Sequence, residues 1–331
     1  MLRQIKQFAV SRPRLAAALP LALCAAVATR FKAGRIADRF PADGRFVAVE
    51  GGRLHYTDSG GGDAGAPPLL MIHGASSNHS ELPLALSQTL NGRYRVISID
   101  RPGHGWSDRI GGRDAASPAR QAALIAQAMD KIGAPRAIIV AHSMAGVAAL
   151  NLALDHQEKV AGLVLISPVS HPWPGGIAWY YSLTADPWVG SLFANTLALP
   201  LGLVGMKGGV ISTFAPQRAP ENYVERARIP LVLRPANFEA NAQDVAALKA
   251  FVAIQSKRYG EIAAPVAIVS GDRDETVSTD IHSRALLAQI VGAELTVLPG
   301  VGHAPHHFAP DVVVAAIDSV AGRSGRSLAA R

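Results

Sequence analysis

The sequence predicts an α/β protein with a mainly parallel central sheet, helices on both faces of that sheet and an inserted, mostly helical cap. Short β-rich runs alternate with helical stretches after residue 68, which is typical of a parallel sheet with crossover helices. Several of these runs are apolar throughout, as expected for strands that are covered on both faces. The alternation stops between residues 169 and 260, and six aromatic residues crowd into residues 173–193. That interruption predicts the cap.

The composition is that of a folded protein with a large core. Of the 331 residues, 49% are hydrophobic and 17% are charged, which excludes a disordered chain. The single cysteine excludes a disulfide framework within the chain and a cysteine-based zinc cluster. We expect residues 40–168 and 261–322 to form the core domain, residues 169–260 the cap, and residues 323–331 a tail.

Residues 1–39 form a basic and hydrophobic N-terminal segment. This segment holds eight of the 32 Lys and Arg residues and one of the 25 Asp and Glu residues, so it carries the whole net charge of +7. The rest of the chain is electrically balanced. A nucleic-acid-binding face on the folded body is therefore not expected.

The apolar run at residues 15–28 indicates contact with a membrane. As a helix it would span about 21 Å, less than the ~30 Å hydrocarbon core of a bilayer. Three interpretations are open: an uncleaved anchor, a secretory signal cleaved after Ala28, or an Ala-rich helix packed on the body. Arg30 and Lys32 directly after the cleavage site would hinder export, which favours the anchor. We expect the protein to be associated with a membrane, or exported if the segment is cleaved.

The elements begin with a hairpin. Residues 46–50 and 53–57 alternate in polarity around Gly51-Gly52, which is typical of two antiparallel strands joined by a tight turn. Further strands are predicted at residues 69–72, 94–99, 137–140, 160–166, 266–269 and 295–298. Helices are predicted at residues 81–90, 117–132, 144–156, 239–256, 280–291 and 310–321.

Ser143 lies where a predicted strand runs directly into a predicted helix. A nucleophile on so tight a turn is held in a strained backbone conformation and needs small residues two positions to either side, here Ala141 and Ala145. The turn exposes the hydroxyl at the start of a helix, where developing negative charge is stabilised. This pattern is typical of a catalytic serine, although the usual motif has glycines at both small positions, and a helix-capping serine is the alternative. His142 is interpreted as a packing or pocket-edge residue.

The strand at residues 69–72 runs into a second turn of small residues, His73-Gly74-Ala75. There the backbone N–H of Ala75 is expected to point at the same space as the N–H of Met144. Two such donors would form an oxyanion hole, each contributing about 3–4 kcal/mol to transition-state stabilisation. An ordinary glycine turn is the alternative.

Two late strands end in residues that a catalytic serine requires. Asp272 and Asp274 follow the strand at residues 266–269, and His303 lies in the glycine-rich loop after the strand at residues 295–298. The chain order of serine, acid and histidine is the one expected for this architecture, and the carboxyl ends of parallel strands meet at one crevice. A Ser–His–Asp triad is therefore predicted.

Other polar residues are interpreted as structural. Asp100 and His104 lie in a rigid Gly/Pro turn and are assigned to forming that turn. His306 and His307 make an H-x-x-H-H spacing with His303, but no acidic cluster accompanies them in the sequence, so no metal is expected. Neither a phosphate-cradling nor a dinucleotide-binding glycine motif occurs between a strand and a helix, so no cofactor is expected.

Between residues 46 and 321 the chain resembles the α/β-hydrolase fold family. The matching motifs are the His-Gly turn at 73–74, D-x-P-G-H-G-x-S at 100–107, the Ser143 turn, G-x-x-D at 271–274 and Gly-His at 302–303. In that family the acid lies three residues after such a glycine, so the resemblance selects Asp274 over Asp272. It also implies that Ser143 is the nucleophile, that His303 is the base and that residues 169–260 are a cap domain.

We expect a serine hydrolase that cleaves a carboxylic ester or related acyl compound through an acyl-enzyme. One alternative is a carbon–carbon bond hydrolase with the same triad, but the glycine-rich oxyanion segment associated with such enzymes is replaced by Gly74-Ala-Ser-Ser-Asn78. The other alternative is a non-catalytic ligand-binding protein. The intact set of serine, aspartate and histidine argues against it. The aromatic residues of the cap predict a small apolar or aromatic acyl substrate, with membrane contact or ordinary cap core as alternatives.

Overall fold

The computed structural model describes the backbone of residues 2–90 and 92–329 and the side chains of residues 20–90 and 92–325. Its centre is an eight-stranded sheet with the order β1-β2-β4-β3-β5-β6-β7-β8. The strands are β1 Arg45–Val49, β2 Gly52–Asp58, β3 Leu69–Ile72, β4 Val96–Ile99, β5 Ala137–His142, β6 Val160–Ile166, β7 Val266–Gly271 and β8 Glu294–Leu298. The predicted hairpin is present, because β1 pairs antiparallel with β2. β2 also pairs antiparallel with β4, and every pair from β4 to β8 is parallel.

Helices cover both faces of this sheet. They are α1 Leu2–Arg39, α2 Glu81–Leu90, α3 Pro118–Ile132, α4 Ala145–Asp155, α5 Trp179–Ala185, α6 Gly190–Phe193, α7 Leu199–Phe214, α8 Tyr223–Arg226, α9 Pro235–Gln255, α10 Ala285–Gln289, α11 Pro305–Phe308 and α12 Pro310–Ala329. Apolar residues of α3 and α4 pack on one face, and those of α2 and α12 pack on the other. β3, β5, β6 and β7 are buried along their whole length, as their uninterrupted apolar sequences predict. The predicted α/β architecture is confirmed.

Two local predictions differ from the structure. The helix predicted at residues 280–291 is a π turn, Asp280–Arg284, followed by the short α10. The last helix, α12, continues to Ala329 through residues assigned to a tail.

The region between β6 and β7 is the mostly helical cap that the sequence predicts. It contains α5 to α9, and its core is formed by aromatic and aliphatic side chains that include Phe193, Phe214, Tyr223 and Phe238. The segments Gly190–Phe193, Ala194–Ala198 and Leu199–Phe214 run on without a break, and we call them together the cap helix, Gly190–Phe214. The domain boundaries at 169 and 260 stay predictions.

The second half of α1 packs against the cap. Ala33 and Ile36 contact the apolar core of the cap, and the hydroxyl of Thr29 donates a hydrogen bond of 3.1 Å to the carbonyl of Thr196. Among the described residues, one helix is long and apolar enough to cross a membrane by length and composition, and it is the cap helix Gly190–Phe214. Membrane contact by residues 1–39 stays a prediction.

Candidate active site

Ser143 lies on the sharp turn between β5 and α4. Its φ angle is +56°, in the left-handed region that non-glycine residues rarely adopt, and its side chain faces the cavity below the cap. Ala141 and Ala145 are buried against the turn, as predicted. Gly74 lies close by, since a Cβ on this glycine would lie 3.1 Å from the Cβ of Ser143. Small residues therefore surround the serine on both the strand and the neighbouring turn.

The structure brings Ser143, His303 and Asp274 together. Nε2 of His303 lies 2.9 Å from Oγ of Ser143, and Nδ1 of His303 lies 2.8 Å from Oδ2 of Asp274. The second carboxylate oxygen of Asp274 accepts hydrogen bonds from the backbone N–H groups of Thr276 and Val277, at 2.9 and 2.8 Å. These contacts hold the carboxylate against the ring, and the ring against the hydroxyl.

The electrostatics of this group suit proton transfer from the serine. Burial lowers the pKa of His303 below its ordinary value even though Asp274 opposes the shift, so the ring is neutral at pH 7 and Nε2 can accept a proton. Burial acts to raise the pKa of Asp274, but the hydrogen bond and charge of His303 and two backbone N–H groups together hold it below the usual range. Asp274 is therefore ionised and orients the Nδ1–H tautomer of His303.

Asp272 and Asp274, the two acid candidates, are clearly separated in space. Oδ1 of Asp272 accepts a hydrogen bond of 2.7 Å from the N–H of Gly300 and makes no contact with His303. Asp272 thus ties together the two loops that follow β7 and β8. Asp274 is the acid at the histidine.

Ala75 and Met144 both line the cavity beside Ser143. In the described part of the chain neither backbone N–H donates a hydrogen bond to a carbonyl or side chain, whereas the nearby N–H groups of Ser76 and Gly146 do. Two free donors beside a serine hydroxyl are what an oxyanion hole requires. The assignment of Ala75 and Met144 to that role stays a prediction.

Glu81 is a site residue that the sequence analysis missed. It comes from the start of α2, is 3% exposed, and lies 3.5 Å from Nδ1 of His142, while the ring of His306 is hydrogen-bonded to the same carboxylate oxygen. One buried carboxylate therefore accompanies His306 in space, although no acidic cluster accompanies it in the sequence. Glu81 lies 225 residues away in the sequence, so spacing gave no sign of it.

His142 connects this cluster to the catalytic histidine. Its Nε2 donates a hydrogen bond of 3.1 Å to the backbone carbonyl of His303, and the two rings lie 4.9 Å apart. Burial would lower the pKa of His142, but the charge of Glu81 reverses this and raises it. His142 thus lies between Glu81 and the backbone of His303, which it holds by a hydrogen bond, a larger part than the packing role expected for it.

Two groups of described residues contain the side-chain types that bind metals. They are Glu81 with His142 and His306, and Asp100 with His55 and His79. In both groups the nitrogen and oxygen atoms already pair with one another through hydrogen bonds. Each arrangement is explained as a buried ion-pair network.

Asp100 has the structural part that the sequence analysis assigned to it. Its carboxylate is fully buried and accepts hydrogen bonds from His55, His79 and the backbone N–H groups of His79 and Trp106. Gly105 is required beside it, because a Cβ there would overlap the carboxylate. His104 is buried against Arg101, away from Ser143.

The cavity between core and cap has a volume of about 1050 Å³, at the upper end of the range for small-molecule sites. Its wall is mostly apolar and aromatic, and includes Trp179, Tyr180, Tyr181 and Phe238 from the cap. Among the described wall residues there is no lysine or arginine, and the carboxylates are Glu81 and Glu275. The cavity therefore suits an uncharged, largely apolar ligand.

The end of the cap helix is joined to the loop that carries His303. The N–H of Gly302 donates to the side chain of Gln217 at 3.0 Å, and Gln217 donates back to the carbonyl of Gly300. A Cβ at Gly302 would overlap the carbonyl of Ala215, so the loop and the cap are in direct contact. The cap thus helps to position the candidate base.

Comparison with known proteins agrees with this architecture. A stretch of 126 residues is 36% identical to the dihydrolipoyllysine-residue acetyltransferase component of the acetoin cleaving system of Cupriavidus necator, and this match spans 38% of the chain and about a third (32%) of that relative. A longer match, 29% identical over 269 residues, covers 76% of the chain and 85% of the 2-hydroxy-6-oxo-6-phenylhexa-2,4-dienoate hydrolase of Burkholderia cepacia.

The solved structures show the same fold. The enol-lactonase of Burkholderia xenovorans LB400 superposes with a TM-score of 0.63 over 83% of this chain and 98% of its own, at 20% identity. Residues 67–310 match the sequence profile described as the alpha/beta hydrolase fold. The chain therefore belongs to the alpha/beta hydrolase fold family.

Proposed function

We propose that this protein is a serine hydrolase that cleaves an uncharged carboxylic ester with an apolar or aromatic acyl group. The observation that supports the proposal is the hydrogen-bonded chain Ser143–His303–Asp274 at the wall of an apolar cavity. The distance is 2.9 Å from Ser143 Oγ to His303 Nε2 and 2.8 Å from His303 Nδ1 to Asp274 Oδ2. His303 takes the proton of Ser143 as Oγ attacks the carbonyl carbon. The N–H groups of Ala75 and Met144 bind the oxyanion.

The protonated His303 then donates its proton to the leaving alcohol, and the acyl-enzyme forms. Asp274 stabilises the imidazolium during both steps without taking the proton itself. Water, deprotonated by His303, attacks the acyl-enzyme and restores Ser143. No cofactor takes part in this scheme.

A second candidate is the hydrolytic cleavage of a carbon–carbon bond. It is supported by the relative from Burkholderia cepacia, whose name specifies a dienoate substrate. A dienoate carries a carboxylate, and such sites normally place a cation near it. Because the described cavity wall offers carboxylates and no lysine or arginine, we favour the uncharged ester.

The first experiment labels the protein with a fluorophosphonate and maps the adduct by mass spectrometry. We expect an adduct on Ser143 that is lost in both Ser143→Ala and His303→Ala. A folded, monodisperse wild type that forms no adduct would contradict the proposal and favour a ligand-binding protein.

A substrate pair separates the two hydrolases. Wild-type protein is given an uncharged aryl ester and a phenyl-substituted dienoate under the same conditions. Faster turnover of the ester, by tenfold or more in kcat/KM, supports the proposal. Faster turnover of the dienoate contradicts it and supports carbon–carbon cleavage.

Residues 1–39 are proposed to hold the protein at a membrane. This rests on their excess of basic residues and on the exposure of the apolar residues Leu21, Leu23, Val27 and Phe31 along α1. Fractionation of cells that express the full chain tests it. Recovery in the membrane fraction is expected, and recovery in the supernatant would contradict it.

A further inference from the structure

The cap helix Gly190–Phe214 presents an apolar face to solvent. Its outward side chains are 41% to 86% exposed, namely Leu192, Leu197, Leu203, Val204 and Ile211. Lys207 is the single charged residue between positions 190 and 214. So large a run of exposed aliphatic side chains normally marks a surface that another apolar phase covers.

The helix α1 adds to this surface. The apolar residues exposed along α1 are 62% to 70% exposed, and α1 adjoins the cap helix at the contact between Thr29 and Thr196. Further along, Arg39 donates a hydrogen bond of 2.9 Å to Glu225 of the cap. Two neighbouring helices therefore expose apolar residues.

The cap helix does not cross a bilayer in this fold. Its inner side is part of the protein, because Phe193, Leu199 and Phe214 are buried in the cap core and Met206 lines the cavity. A helix with one side packed on protein and the other side apolar can lie flat in the interface of a membrane.

Charge selects an anionic bilayer over a second copy of the chain. In a two-fold symmetric dimer the same patches face each other, so the bases of two copies of α1, Arg30, Lys32, Arg35 and Arg39 against the single acid Asp38, would be brought together. Anionic headgroups would instead attract these bases and Lys207. Trp188, which is 90% exposed just before the cap helix, is the residue type that lies at membrane interfaces.

We propose that this face of the cap docks on anionic phospholipid bilayers, with the cap helix lying in the headgroup region beside α1. The cap, and not the N-terminal segment alone, is then a membrane-binding element. The cavity lies directly behind the docked helix.

This arrangement narrows the substrate class, a step that rests on the proposed ester hydrolysis. The wall between the cavity and the docked face contains Gly205, Gly208 and Gly209, where an added Cβ would meet no atom within 4 Å. A thin wall of this kind favours an ester that is dissolved in the bilayer and enters from it. The substrate would be a lipophilic ester.

The test compares full-length variants in flotation with vesicles of phosphatidylcholine with and without phosphatidylglycerol. The cap variant is Val204→Glu/Ile211→Glu, and the matched control is Val291→Glu, since Val291 is 93% exposed in the loop before β8. None of these side chains lines the cavity. We expect binding to anionic vesicles to fall about tenfold or more in the cap variant, because two aliphatic groups no longer enter the interface. The control should bind like wild type.

Cap variant binding equal to that of wild type would overturn the proposal and leave the N-terminal segment as the only membrane contact. A wild-type dimer that the cap variant dissociates, with no vesicle binding by either protein, would also overturn it and identify the face as a dimer interface. Quenching of tryptophan fluorescence by brominated lipids, reduced in Trp188→Phe, would place the cap at the bilayer. Absence of quenching in vesicle-bound wild type would contradict that placement.

Turnover of a short water-soluble ester without vesicles is the control for the active site. The cap variant should retain wild-type turnover of this ester and lose rate only on a lipophilic ester in vesicles. If no ester is cleaved by any variant but vesicle binding follows the expected order, ester hydrolysis fails and the docking surface stands.

Discussion

Two buried carboxylates in this protein are each paired with histidine, and they serve different ends. Asp274, after β7, binds Nδ1 of His303, whose Nε2 lies against the hydroxyl of Ser143 at the cavity wall. Asp100, after β4, binds Nδ1 of His79, whose Nε2 lies 3.0 Å from a second carboxylate, that of Asp43. The partner of Nε2 therefore differs between the two histidines. A hydroxyl at Nε2 of His303 suits catalysis, whereas a second carboxylate at Nε2 of His79 suits a structural role.

The pKa values of the two histidines follow from these contacts. Burial keeps the pKa of His303 below its ordinary value, so that its Nε2 is free to accept a proton. His79 is buried as well, but two carboxylates outweigh the burial and raise its pKa to about 9. His79 is therefore a permanent cation at neutral pH, and a cation cannot act as a base.

The largest expected effect is a loss of activity on replacing Ser143 or His303 at the cavity wall. Ser143→Ala and His303→Ala should each lower kcat/KM for an aryl ester by about 10⁴–10⁶-fold, because nucleophile and base act as one unit. The double variant should be hardly slower than either single one. Thermal unfolding serves as the control and should change little. Residual activity within tenfold of wild type in either variant would refute the triad.

Replacing Asp100, the buried partner of His79, should instead lower the stability of the fold. Asp100→Asn leaves His79 without one of its two counter-charges in a buried site, and we expect the free energy of unfolding to fall by about 3–5 kcal/mol. Asp272→Asn is the matched control, since its carboxylate accepts one hydrogen bond, from Gly300, and about 1 kcal/mol is expected there. Denaturant titration of both variants measures the difference. Equal losses would show that the Asp100 cluster has no special part in the fold.

The pH dependence of stability should distinguish His79 from His303 without any mutation. A histidine with a raised pKa contributes stability that is complete below pH 6.5 and is lost as the pH rises through its folded value, here about 9. We expect the free energy of unfolding to fall by about 1–3 kcal/mol between pH 7 and pH 9.5, since the loss lies between the two pKa values. Asp43→Asn, which removes one partner of His79, should flatten this dependence. An unchanged slope in that variant would argue against His79 as the titrating group.

The smallest expected effect concerns Glu81, which acts on His303 through His142. In the wild type the acid limb of kcat/KM should lie below pH 6.5, because the base has a lowered pKa. Glu81→Gln removes the charge that raises the pKa of His142, and with it the positive charge by which His142 lowers the pKa of His303. The charge of Glu81 itself raises the pKa of His303, but it is the weaker of the two influences. We expect the acid limb to move to higher pH, by less than about one unit, with KM nearly unchanged. A shift to lower pH, or a change in KM alone, would contradict this positioning role.

Local and periodic features of this protein were predictable from its sequence. The apolar runs of β3, β5 and β6 and the small residues around Ser143 depend on neighbours in the chain, and the structure has the strands and the turn where these patterns indicate them. The approach of Asp274 and His303 was predictable too, since the carboxyl ends of parallel strands meet at one edge.

Contacts across long sequence separations were not predictable in the same way. Glu81 reads as an ordinary first-turn residue of α2, and nothing near it in the sequence indicates two histidines from elsewhere. The glycines at residues 202–209 have a low helix propensity, yet they lie in α7, whose Met206 and Val210 pack on the cap core. In each case tertiary packing outweighs a local preference.

The contact between Gln217 and the loop at residues 300–302 has a consequence for protein engineering. Exchanging caps between enzymes is a common route to new specificity, and residues 169–260 suggest themselves as the cassette. Such a graft would replace Ala215 and Gln217, which hold the loop of His303. If the exchanged segment ends before residue 215, the recipient keeps its own Ala215 and Gln217. The exchange can then alter the cavity while His303 keeps its position.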